Sequence, residues 1–107
     1  DEDRLSLLRR AMAMAERDTE RTLGLYRARA IRTMDCLEFL LPYLDDPMYA
    51  QVACASIVEL AHHRGLREPN KGPFHKALDK VIETTGDATV KDRANRYKQD
   101  KTWVRPK

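Results

Sequence analysis

Ser56, Glu59, His62 and His63 place a hydroxyl, a carboxylate and two imidazoles in one eight-residue stretch. At about 100° per residue, Ser56, Glu59 and His63 share a helical face, with carboxylate and imidazole at i, i+4. Two chemistries use such groups. Serine hydrolysis needs a base in contact with the nucleophile, a strained elbow and an oxyanion donor. Side chains of one helix rarely meet in that geometry, and neither an elbow nor a donor is visible. A catalytic zinc needs three protein ligands. His75 would have to arrive from the next helix as the third, and the paired i, i+4 histidines of HExxH are absent. The expectation is no enzyme, with no catalytic residue, cofactor or metal. The histidines then mark a solvated helix end, where the negative pole of the dipole favours imidazolium. Cys36 and Cys54 do not make a disulfide framework. Each has apolar neighbours in a predicted helix, the setting of a buried thiol. If their helices are antiparallel neighbours, an oxidising compartment could join them as a staple.

Charge offers more than catalysis. Residues 1–35 hold eight basic and seven acidic groups, residues 36–66 one and four, and residues 67–107 eleven and six. Lys91, Arg93, Arg96, Lys98, Lys101, Arg105 and Lys107 make a basic end beside an acidic centre, a pattern that attracts polyanions or acidic partners. Tyr97 and Trp103 are placed to stack on bases. Arg27, Arg29 and Arg32 form a second basic cluster. Against this, Asp92 and Asp100 interrupt the run, and the net charge is only +3.

These groups must be carried by helices. Leu5, Leu8, Met12 and Ala15 line one face of a predicted helix over about 4–16. Asp18 or Thr19 caps a second through Leu23, Tyr26 and Ala30 to about Ile31, unless the two fuse into one bent helix. Thr33 caps a third carrying Cys36, Leu37, Leu40, Leu41 and Leu44, in which Pro42 should kink the chain or shift its hydrogen bonding. Asp46 with Pro47 at the first helical position is the strongest start signal in the chain. It opens a fourth helix to about His63, apolar except for Gln51, Ser56, Glu59, His62 and His63, and therefore central and buried. Gly65 suits its C-terminal cap. The segment LREPNKGP reads as a loop. A fifth helix carries Phe74, Ala77, Leu78, Val81 and Ile82 and ends at Gly86. A sixth begins near Thr89 with only Val90, Ala94 and Tyr97 to bury, and residues 99–107 form a basic tail.

Composition agrees. Gly at 4 and Pro at 5 are too sparse for a turn-rich β protein, and 42% hydrophobic with 35% charged residues suits one modest soluble core. The expectation is a single all-α domain over 1–107. No run approaches the roughly 18 uncharged apolar residues of a membrane span. The chain opens at Asp1, so an excised or processed protein is expected and its compartment is not readable.

The order ERTLGLYRARAI, DCLEFLLPYLDDP, MYAQVACASIVELA and FHKALDKVIETTGDATVKDRA resembles the HEAT-like helical repeats of bacterial proteins, in particular the HEAT-like domain of large, often exported, multidomain proteins. The likeness covers about residues 5–98. It implies an α-solenoid of about six antiparallel helices in a two-layer, right-handed superhelical bundle of the HEAT or armadillo type, with a scaffolding role and no catalytic residues. Pro42 and the loop at 67–73 depart from strict periodicity.

The expected function is a non-catalytic protein-interaction or scaffold module, with a nucleic-acid-binding repeat as the alternative. Expected partners are another protein or a neighbouring domain, with the chain a monomer or weak homodimer. The expected binding residues are Gln51, Glu59, His62 and His63 on the fourth helix, and Arg93, Arg96, Lys98 and Trp103 at the basic end. Trp103 lies past the last amphipathic turn. It packs either on a neighbouring repeat, a second domain or another copy of the chain, or back on the fifth or sixth helix.

Overall fold

The computed structural model describes residues 2–103, so Asp1 and the tail residues Arg105 and Lys107 expected to carry basic charge lie outside it. Seven α-helices follow in order: α1 (Glu2–Met14), α2 (Asp18–Arg27), α3 (Met34–Leu40), α4 (Ala50–Ala61), α5 (Arg64–Arg67), α6 (Lys71–Thr84) and α7 (Ala88–Lys98). α5 is a single turn, leaving six longer helices, and no strand occurs among the described residues. The fold is a small all-α bundle with a radius of gyration of 13.2 Å.

α4 is the centre. Ala53, Cys54, Ile57, Val58, Leu60 and Ala61 are fully buried on it, and α2, α3, α6 and α7 all pack against it. One contiguous core runs from Leu5 to Tyr97 and draws on all six longer helices. Leu5, Met12 and Ala15 bury the predicted face of α1, and Cys36, Leu37, Leu40 and Leu44 that of the third helix. The Thr33 hydroxyl accepts from the Cys36 N–H at 3.1 Å, capping α3 as its sequence predicts. At Pro42 the α-helix tightens into a 3₁₀ turn over Leu41–Asp45, the shift in bonding that a proline without an N–H requires. Both cysteines are free and buried, and burial pushes each thiol up to about 11.

Four expectations are corrected. The buried face of α2 is Gly24, Leu25 and the following Ala28 and Ile31, while Leu23 and Tyr26 point outward. Gly24 decides this register, because a Cβ there would fall 2.4 Å from the Met12 sulfur; α1 and α2 meet across the missing side chain. The fourth helix starts at Ala50, not Pro47. Asp46 does cap, accepting from the Met48 N–H at 3.0 Å, but it closes a turn three residues earlier than the helix. The segment 67–73 is helical: a 3₁₀ turn over Glu68–Asn70 runs into α6, whose first turn holds Gly72 and Pro73. Proline is harmless there, since a first-turn N–H has no helical acceptor. Gly65 lies within α5 and takes no positive φ, so it is no left-handed cap.

Asp100 is the positive-φ residue among those described, at 57°. It closes α7 in a Schellman motif: the Lys101 N–H donates to the Arg96 carbonyl at 2.9 Å and the Asp100 N–H to that of Tyr97 at 3.1 Å.

Candidate functional site

The C-terminal half of α4, the short α5 and the second half of α7 meet at one end of the bundle. α7 is held in register by Asp87, whose carboxylate accepts from the Thr89 and Val90 N–H groups at 2.8 and 3.3 Å. That start directs Arg93 and Tyr97, one turn apart, inward against α4. Arg93 is 7% exposed. Its Nη1 donates to Glu59 at 2.5 Å, and its Nε and Nη2 donate to the Tyr97 hydroxyl at 3.2 and 3.0 Å. The His62 Nδ1 is 2.8 Å from the same hydroxyl. Trp103 returns from beyond α7 and lies under the Arg93 guanidinium, 4.4 Å from its ring centre. Arg67, on α5, stands over Tyr97 at 5.1 Å and donates to the Ala61 carbonyl at 2.5 Å.

Five expected binding residues thus converge: Glu59, His62, His63, Arg93 and Trp103. Four of them make internal contacts: Arg93 is buried in its ion pair with Glu59, His62 lies against the Tyr97 hydroxyl, and Trp103 packs back on the bundle, one of the placements expected for it. Tyr97, at 1% exposure, has no face to offer a base. The other three lie elsewhere. Gln51, about 12 Å along the helix axis from Glu59, ties α4 to the α6–α7 connection through the Thr84 carbonyl at 3.2 Å and the Gly86 N–H at 2.9 Å. Arg96 pairs with Asp92 at 3.1 Å, and Lys98 pairs with Asp79.

No protein-family model, curated protein or solved structure matches this chain.

The arrangement therefore rests on its own electrostatics. Burial pushes the Glu59 carboxyl up, but the Arg93 hydrogen bond and the charges of Arg93, Arg29 and His62 outweigh it, and the net shift is downward. Burial also lowers His63, helped by the positive charges of Arg32 and His62. The chemistry weighed for this stretch does not assemble. Ser56 is fully buried rather than on the polar stripe, and its hydroxyl donates to the Leu25 carbonyl at 2.7 Å. His75 acts electrostatically on Asp100, away from Glu59 and His63. Among the described residues no three of His, Cys, Asp and Glu gather as metal ligands.

Arg67 does not stand out in the sequence, because it falls in the segment LREPNKGP, which reads as a loop. Its spacing of i, i+4 from His63 is the signal that a helical reading of residues 64–67 uncovers.

Proposed function

We propose that this domain is a non-catalytic protein-interaction module that packs its partner along the outer face of α1 and α2, as one HEAT-like helical pair packs on the next. The observation that carries this reading is the set of large apolar side chains left in water on those two helices. Leu7 is 64% exposed, Met14 80%, Leu23 47% and Tyr26 52%. Leu23, Tyr26 and Val52 also line a shallow cavity of about 430 Å³. Isolated exposed apolar residues are ordinary, but several on one helix pair at the edge of a bundle are what a stacked neighbour covers. Arg93, Arg96 and Lys98 each sit against a carboxylate, which leaves less free charge for phosphate contacts and turns the reading away from a nucleic-acid-binding C-terminal helix.

The test is capture of partners by the immobilised chain from a lysate of its native host. Leu23→Glu combined with Tyr26→Glu should abolish capture and leave the far-ultraviolet circular dichroism unchanged, because both side chains are exposed. Capture that survives this double variant sinks the proposed face, and turnover of any substrate by the purified chain sinks the non-catalytic reading.

A further inference from the structure

A cavity of about 410 Å³ opens between the end of α4, α5 and α7, lined by His62, His63, Arg64, Arg67, Tyr97 and Trp103, with Thr102 at its rim. A second, of about 420 Å³, shares His63 and Arg64 and brings in Arg32 from the connection between α2 and α3. Among the described residues no carboxylate lines either one. Arg67 is 1% exposed, and its Nε is buried without a hydrogen-bond partner. Its one hydrogen bond among the described residues goes to a neutral carbonyl, Ala61. The acid that feels its charge, Asp100, gives Oδ2 to Lys71 at 3.1 Å and keeps Oδ1 buried without a partner among the described residues, so it acts on Arg67 through space and forms no hydrogen bond with it. Glu59, beside the cavity, is taken by Arg93. A guanidinium buried without an acidic partner is costly, and an anion that enters the cavity offsets that cost.

We propose that this cavity is a phosphate-binding site, in which Arg64, Arg67 and His63 hold the phosphate group and Arg32 completes its charge. The cations come from two separate segments, Arg32 from the α2–α3 connection and His63, Arg64 and Arg67 from the end of α4 and α5. That suits a tetrahedral dianion with acceptor oxygens in every direction better than a planar carboxylate. Arg64 is available because its contact to Glu68, at 3.9 Å on an exposed side chain, is a weak surface pair. A volume of this size admits a phosphomonoester rather than the bare ion alone. The inference is independent of the α1–α2 docking face.

Trp103 is the chain's one tryptophan and lines the cavity, so its emission reports occupancy directly. The experiment titrates the full chain with inorganic phosphate, AMP and an oligothymidylate at constant ionic strength. Phosphate should change the emission saturably, and Arg64→Ala or Arg32→Ala should each weaken binding about tenfold, the worth of one charge-assisted hydrogen bond. Both residues are exposed, so circular dichroism should be unchanged. A change that never saturates, or equal titrations of wild type and both variants, overturns the site. An oligothymidylate that binds while phosphate and AMP do not also overturns it. Where phosphate binds, tighter binding of AMP identifies a small phosphorylated ligand as the source, and tighter binding of the oligomer identifies a polynucleotide backbone.

Discussion

Glu59→Gln removes one charge from the ion pair that joins α4 to α7 and keeps the size of the side chain. The Glu59 side chain is 27% exposed and that of Arg93 only 9%, so the variant leaves a nearly buried guanidinium without its carboxylate. Removing one partner of a fully buried pair costs about 3–5 kcal/mol. Here Glu59 retains some water, and Arg93 keeps the Tyr97 hydroxyl and the Trp103 ring, so a loss of about 2 kcal/mol is expected. With urea m-values of roughly 1–3 kcal/mol/M, the midpoint should fall by about 1 M, and Tm by about 8–15 °C. Urea melts followed by circular dichroism and by Trp103 emission read the effect on α7 and on the whole bundle together. The pair also fixes a pH dependence. The Glu59 carboxyl titrates below its ordinary value of 4.5, so its contribution is fully present above that value and disappears as pH falls through the lower folded-state value. The gap between wild type and variant should therefore be constant near neutrality and close in acid. Arg93→Met in the Glu59→Gln background should recover part of the loss, because no charge is then stranded. A single variant within about 0.5 kcal/mol of wild type at neutral pH, where surface changes normally fall, would refute the reasoning.

Ser56→Ala should cost about 1 kcal/mol, since the variant leaves the buried Leu25 carbonyl without the donor now at 2.7 Å; a chemical melt showing no loss would mean that this contact between α2 and α4 holds nothing. Cys36 and Cys54, with thiols pushed up to about 11 and no exposed surface, should resist a disulfide reagent at pH 8 in the native chain and react fully in denaturant. Rapid labelling of the folded protein would contradict their burial.

The helices were legible where one apolar register had no competitor. In the third helix, Cys36, Leu37, Leu40 and Leu44 leave no alternative face, and they are buried. α2 offers two registers of similar composition. Leu23, Tyr26 and Ala30 make one, and Leu25, Ala28 and Ile31 make the other. Periodicity cannot separate them. Two contacts from other helices do: the approach of Met12 to Gly24, and the Ser56 hydroxyl on the Leu25 carbonyl. The segment at 67–73 failed differently. Its prolines read as breakers, yet Pro69 and Pro73 both fall in first turns, where the missing N–H costs no hydrogen bond.

The site was less legible, because its contacts join residues far apart in the chain. Glu59 and Arg93 are separated by 34 positions, and His62 and Tyr97 by 35. Summing charge along the chain misplaces it for the same reason. Lys98 spends its charge on Asp79, Lys80 on Asp45 and Lys71 on Asp100, so these cations of the last third are paired in space. Arg32, His63, Arg64 and Arg67 belong to segments counted as basic, acidic and basic in turn, yet they converge on two adjoining cavities that no carboxylate lines among the described residues. The positive surface thus lies at the end of α4 and around α5, where folding gathers cations faster than it supplies acids, and it is there that an anion gains most from binding.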